Sequence, residues 1–163
     1  MPNHALDVID CHIIAELQSD ARLSNVELAD KVGLSPSPCL RRVKRLEQEG
    51  YIQGYRAVLQ RDRVGLGFSV FVGVKLNGHA NEGALAFEQA VVAMPEVVAC
   101  HLVSGEADYF LEVVVPGYQR FLVGKLLNLP IVREVRSNIA IQTLKAGAPL
   151  PLDHLDAATR VKP

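Results

Sequence analysis

The sequence predicts an α+β chain in two parts: helices ahead of residue 51, then strands alternating with helices beyond residue 68. Three observations carry that reading. Apolar residues recur every three or four positions as far as Leu46, and this period stops at a charged stretch, 59–67, that contains two glycines. A period of two then begins with Phe68, Val70, Val72, Val74 and Leu76. With 163 residues, 49% of them hydrophobic, the chain has room for two small cores. The expected divisions are a first domain at 1–59, a linker at 60–67, a second domain at 68–148 and a tail at 149–163.

The first helix runs through VIDCHIIAELQSD, capped by Asp7, with Leu6, Ile9, Ile13 and Leu17 at helical spacing. In LSNVELADKVG, Ser24 followed three residues later by Glu27 is a capping box, and Val26, Leu28, Ala29 and Val32 supply apolar contacts for a short helix that Gly33 closes. Pro36 and Pro38 then open a third helix, because the first turn has no intrahelical acceptor for the N–H that proline lacks. Ser35 is its expected cap and Gly50 its end. At 3.6 residues per turn, Cys39, Leu40, Val43 and Leu46 fall on an apolar side and Ser37, Arg41, Lys44, Arg45 and Gln48 on a cationic one.

A short helix, a turn containing Gly and a longer helix with an exposed basic side form the helix-turn-helix pattern. YIQGYRAVL follows as two β-prone stretches around Gly54, expected to pair as a wing carrying Arg56. The major groove admits a helix, N-terminal N–H groups point at phosphate, and arginine offers forked donors to base edges. Double-stranded DNA therefore suits this unit as a partner, although helical hairpins with basic faces, as solvated amphipathic helices, also occur in proteins that never meet DNA. Ser35, Ser37, Arg41, Lys44 and Arg45 would enter the groove, and Arg56 would reach flanking phosphate.

In the second part, a helix capped by Asn81 places Ala84, Phe87, Val91 and Met94 on one face and stops at Pro95. VVACHLVSG and YFLEVVV are two strands of a hairpin turning at GEAD. Pro116 opens a helix with Tyr118, Phe121, Leu122, Leu126 and Leu129 on one stripe, and VREVRSNIAIQTLK closes as a strand alternating Val135, Ser137, Ile139 and Ile141. The order βαββαβ is ferredoxin-like, an antiparallel sheet with helices on one face. Its other face is open, so a dimer or larger homo-oligomer is expected through this half.

Composition excludes several function classes. Net charge is −1, and residues 1–64 set nine Lys and Arg against nine Asp and Glu, so any nucleic-acid contact must come from a local patch. No apolar run approaches a membrane span, and MPNHALD lacks the basic start and apolar stretch of a secretion signal, so no membrane partner and a cytoplasmic location are expected. Cys11, Cys39 and Cys100 are odd in number and far apart, which fits reduced thiols. Cys11–His12 and Cys100–His101 are sequence neighbours, poor spacing for a metal. Without a Gly-rich phosphate loop, G-x-S-x-G or H-E-x-x-H, nothing argues for an enzyme, a metal or a cofactor.

LSNVELADKVGLSPSPCLRRVKRLEQEGYIQGYRAVL and CHLVSGEADYFL resemble the Lrp/AsnC family of bacterial and archaeal transcription factors, and the resemblance runs from about Leu6 to Lys145. It implies a winged helix-turn-helix joined to a ferredoxin-like domain, dimers that assemble into octamers or related rings, and a response to an amino-acid effector, leucine or another. It also implies that the effector sits between dimers at Gly105 and Asp108 of GEADY and at Asn138, Ile139 and Ala140 of SNIAI. On spacing alone, Gly105 and Asp108 read as turn residues. Asn138 is polar where the leucine-responsive branch of the family carries an aromatic residue, so a smaller or more polar amino acid also fits. The implied function is sequence-specific regulation of amino-acid metabolism genes. The alternative is an amino-acid-sensing assembly protein that regulates an enzyme by contact.

Overall fold

The computed structural model describes residues 6–77 and 81–155, with the backbone alone at 81 and 82. These residues group into two compact units, one reaching Val58 and taking in the chain from Lys145 onward, the other Leu59–Leu144.

In the first unit α1 spans Val8–Ser19, α2 Asn25–Lys31 and α3 Pro36–Gln48. The expected capping box of α2 forms, and the expected cap Asp7 turns out to belong to a second one with Asp10. The Asp7 side chain accepts from the Asp10 N–H at 2.8 Å, and the Ser24 hydroxyl accepts from the Glu27 N–H at 3.3 Å while the Glu27 carboxylate accepts from the Ser24 N–H at 2.8 Å. Ile13, Leu28, Ala29, Val32, Cys39 and Leu46 form the core, with Leu6, Ile9, Leu17 and Val43 packed around it. Val26 and Leu40, expected inside, are 65% and 42% exposed, because the core stripe of each short helix is narrower than its apolar composition. Gly33 takes the turn between α2 and α3 at φ 69°, a left-handed conformation that glycine adopts without steric cost.

Two expectations change here, and the tail finds its place. Ser35 occupies the N-cap position of α3, but its hydroxyl makes no capping bond; the prolines and the Asn25 side-chain amide, which donates to the Pro36 carbonyl at 2.8 Å, fix that end instead. The hairpin expected within 51–59 does not pair, and the segment runs without strand structure. Val58 is 91% exposed and Leu59 64%, so a two-stranded ribbon would have no apolar layer to support it. The tail packs on α1 of its own chain: the Gln18 side chain accepts from the Leu150 N–H at 2.7 Å and donates to the Leu150 carbonyl at 3.3 Å, and Leu150 and Leu152 wall a groove of about 700 Å³ with Ile14, Leu17 and Tyr51.

The second unit holds β1 (Phe68–Leu76), α4 (Asn81–Val92), β2 (Val97–Leu102), β3 (Tyr109–Val115), α5 (Tyr118–Gly124) and β4 (Val132–Ile139). The strand order is β2-β3-β1-β4 with every pair antiparallel, as a ferredoxin-like chain requires. Period two puts Val70, Val72 and Val74 of β1 beside Leu111 and Val113 of β3 under Phe87, Val91, Phe121 and Leu126. The cap assigned to Asn81 falls on a side chain outside the described residues. Two element ends also differ. α5 stops at Gly124, a poor helix former, and a 3₁₀ turn, Leu126–Asn128, seats the buried Leu126. β4 ends at Ile139 because its partner β1 begins at Phe68; the Ala140 N–H still reaches the Ser69 carbonyl at 2.9 Å, and Ile141 lies fully exposed.

Candidate nucleic-acid interface and ligand groove

On α3, Ser37, Leu40, Arg41, Lys44, Arg45 and Gln48 line one shallow surface groove of about 520 Å³. The five polar residues expected on the cationic side are thus brought together, joined by the exposed Leu40. Opposite them Cys39 and Leu46 are completely buried, and burial pushes the Cys39 thiol pKa upward. Ser35 and Ser37 stand exposed at the helix start. Arg56 lies away from this groove, on the segment after Gly54, and lines the groove formed with the tail.

Not every cation of the basic run faces outward. Asp10 of α1 is 1% exposed, and its carboxylate accepts from Arg42 Nη1 at 2.8 Å and from Arg45 Nη2 in a short contact. Arg42 Nη1 also reaches Asp7 at 2.6 Å, and these two carboxylates raise the guanidinium pKa further. Sequence reasoning missed Asp10 and Arg42. A signal existed: Asp10 sits four residues after Leu6 and three before Ile13, which places a charge on the apolar face of α1.

In the second unit the β2–β3 hairpin closes with the Val103 N–H on the Asp108 carbonyl at 2.9 Å and the Asp108 N–H on the Val74 carbonyl at 3.0 Å. Asp108 Oδ2 accepts from the Leu76 N–H at 2.8 Å, so this carboxylate ties the hairpin to the end of β1. Gly105 makes the turn at φ 139°, a backbone that side-chain-bearing residues rarely adopt. Beside the hairpin lies a groove of about 260 Å³ on the helix-free face of the sheet, floored by Gly73 and Phe110 and rimmed by Lys75, Glu106, Glu134 and Arg136. Arg136 bonds Glu106 in a short contact and Glu134 at 2.7 Å. Of the five residues assigned to an effector, Asn138 alone lines this groove; Gly105 and Asp108 shape the hairpin above it, and Ile139 and Ala140 end the edge strand.

Two family models cover most of the chain: a winged helix-turn-helix DNA-binding domain matches residues 6–53, and the Lrp/AsnC ligand binding domain matches 69–150. The chain belongs to the Lrp/AsnC family of transcriptional regulators. It is 45% identical over 147 residues to the leucine-responsive regulatory proteins of Klebsiella pneumoniae and of Escherichia coli K12, an overlap spanning 88% of this chain and 90% of each relative. A transcriptional regulator of Neisseria meningitidis solved with L-Met matches at TM-score 0.88 and 37% identity, over 92% of this chain and 99% of that one. An AsnC family transcriptional regulator of Agrobacterium tumefaciens matches at 0.86 and 36%, over 91% and 99%. As an Lrp/AsnC member the chain is a DNA-binding transcriptional regulator with a ligand-binding domain, not an enzyme. Among the described residues no helix is long and apolar enough to cross a membrane.

Proposed function

We propose that this regulator reads double-stranded DNA through α3 and alters that binding when an amino acid occupies the second unit, thereby controlling amino-acid metabolism genes from the cytoplasm. The observation that carries the DNA half is the α3 surface: Ser37, Arg41 and Lys44 exposed on one side of a helix whose other side is core. Ser35, whose hydroxyl caps nothing, is free to meet phosphate at the helix start, and Arg56 reaches flanking backbone. One such patch on a chain of net charge −1 is weak. Homo-oligomers, from dimers to octamers or related rings, set several copies against repeated half-sites, and effective concentration supplies the remaining affinity.

For the effector, the hairpin and last strand offer the chemistry an amino acid needs. Arg136 and Lys75 suit an α-carboxylate, Glu106 and Glu134 an ammonium, and Phe110 with Ala107 an apolar side chain. Gly105 and Asp108 hold the hairpin in shape, while Asn138, with Ile139 and Ala140 beside it, sets selectivity. The regulator solved with L-Met supports an amino acid as the ligand class.

Fluorescence anisotropy on a duplex selected from a random pool, across salt and with a panel of free amino acids, tests both halves. Arg41→Ala is expected to weaken specific binding by about 1–3 kcal/mol. Asp108→Ala and Arg136→Gln are expected to abolish the amino-acid response in a folded protein. Unchanged affinity in the first variant removes Arg41 from the contact, and a normal response in both others moves the effector elsewhere.

A further inference from the structure

We infer that Asp10 is a positioning residue for DNA binding: from the buried face of α1 it divides the basic run of α3 into two arginines that hold the helix and two cations that meet DNA. The inference rests on the reading that α3 enters the groove.

Four cations crowd positions 41, 42, 44 and 45, and composition gives them equal standing. The structure does not. Asp10 is 1% exposed, and a carboxylate buried to that degree keeps its charge only when paired and hydrogen-bonded. Its Oδ1 accepts from Arg42, and its Oδ2 accepts from Arg45 and from the Asp7 N–H at 3.2 Å. Arg42 and Arg45 are three residues apart, so both heads reach back to one point on α1. Arg45 Nε is buried with no hydrogen-bond partner, a cost the Asp10 contact offsets. Arg41 and Lys44, also three apart but turned outward, are exposed, and among the described residues their side chains form no hydrogen bond or ion pair.

Arg45 is the decisive residue, because it lines the outer groove with Arg41 and Lys44 while its Nη2 bonds the buried Asp10. Asp10 therefore sets how many phosphates α3 can neutralise. It also fixes the roll of α3 on α1, and with it the direction in which Arg41 and Lys44 point.

The salt dependence of DNA binding counts phosphate contacts directly, and a purely structural role for Arg45 leaves it unmoved. For the full-length protein on a selected duplex, Arg41→Gln and Lys44→Gln are each expected to flatten the slope of log K against log salt by about 0.9 per chain engaged. Arg45→Gln is expected to leave that slope unchanged. Asp10→Asn, folded by circular dichroism, is expected to steepen it by about 0.9 as Arg45 is released to phosphate, and to shrink the preference for the selected over a scrambled duplex. If Arg45→Gln flattens the slope as Arg41→Gln does, Arg45 is a DNA contact and the division of labour is overturned, even though α3 still reads DNA. A folded Asp10→Asn with the wild-type slope overturns it equally. If neither Arg41→Gln nor Lys44→Gln moves the slope, α3 is not the contact, and the reading beneath the inference falls with it. Should Asp10→Asn fail to fold, Arg45→Gln decides alone.

Discussion

Arg42 and Arg136 do the same thing in different places: each bridges two carboxylates, Arg42 to Asp7 and Asp10, Arg136 to Glu106 and Glu134. What separates them is water. The Asp10 side chain is 1% exposed, whereas Glu106 is 73% and Arg136 59% exposed. A buried carboxylate has no solvent to fall back on, so its partners are fixed and helix α3 is fixed with them. An exposed triad exchanges its partners for water at almost no cost, so its charges stay free to take other partners. The first cluster holds α3 rigidly on α1, and the second stays free to rearrange.

The comparison breaks most visibly at Asp10. Asp10→Ala removes the acceptor of two guanidiniums and one half of the α1 capping box, and is expected to destabilise the first unit by about 3 kcal/mol, the low end for a broken buried pair because Arg42 and Arg45 retain some water contact. Denaturant unfolding followed by circular dichroism measures this. A loss below about 1 kcal/mol would place Asp10 with ordinary surface ion pairs. Arg136→Gln in the same assay is expected to leave the unfolding midpoint unmoved while the amino-acid response disappears. A large stability loss there would mean that the exposed triad is structural, erasing the distinction.

Leu46→Ala and Leu40→Ala sharpen the two faces of α3. Leu46 is fully buried, and its truncation is expected to cost about 2–5 kcal/mol. Leu40 lies in the outer groove at 42% exposure, and its truncation should stay within about 0.5 kcal/mol, with any effect appearing in DNA binding instead. Equal losses would show that Leu40 contributes to the core as much as Leu46 does.

The same case shows how far the sequence reaches. Periodicity and cap residues placed the three helices of the first unit, the Ser24–Glu27 capping box and the four strands, because these depend on local spacing and local hydrogen bonds. Periodicity could not rank the apolar positions of a narrow stripe, and so Leu40 and Val26 were expected inside. It could not separate Arg45 from Arg41, since the difference is made by Asp10, more than thirty residues earlier. The hairpin expected within 51–59 does not pair for a related reason: β-prone residues around Gly54 specify extended backbone, while pairing needs a layer to pack against. In the second unit, Gly105 and Asp108 were legible as a turn and Asn138 through family resemblance. Lys75, Glu134 and Arg136 converge only through the β1–β4 register, which no single stretch encodes.

The smallest expected effect concerns two tyrosines. Tyr109 is 4% exposed, and burial together with its hydrogen bond to Glu88 at 2.6 Å pushes its pKa up to about 12; burial and Glu47 push Tyr55, 48% exposed, to about 12 as well. A pKa raised in the folded state means that the neutral phenol is favoured there. That stabilisation is complete below the ordinary value of 10 and is lost as pH rises through 12. Burial again divides the pair. Ionised Tyr55 can turn its oxygen to water, whereas ionised Tyr109 must place a charge against Glu88 and Phe87 at the heart of the second unit, where the two rings lie 4.8 Å apart. Tyr109→Phe should therefore flatten the decline in stability between pH 10 and 12 more than Tyr55→Phe does, with absorbance at ~295 nm following the phenolates. Equal slopes in the two variants would mean that the phenol's hydrogen bond to a carboxylate, and not its burial, governs the alkaline limit.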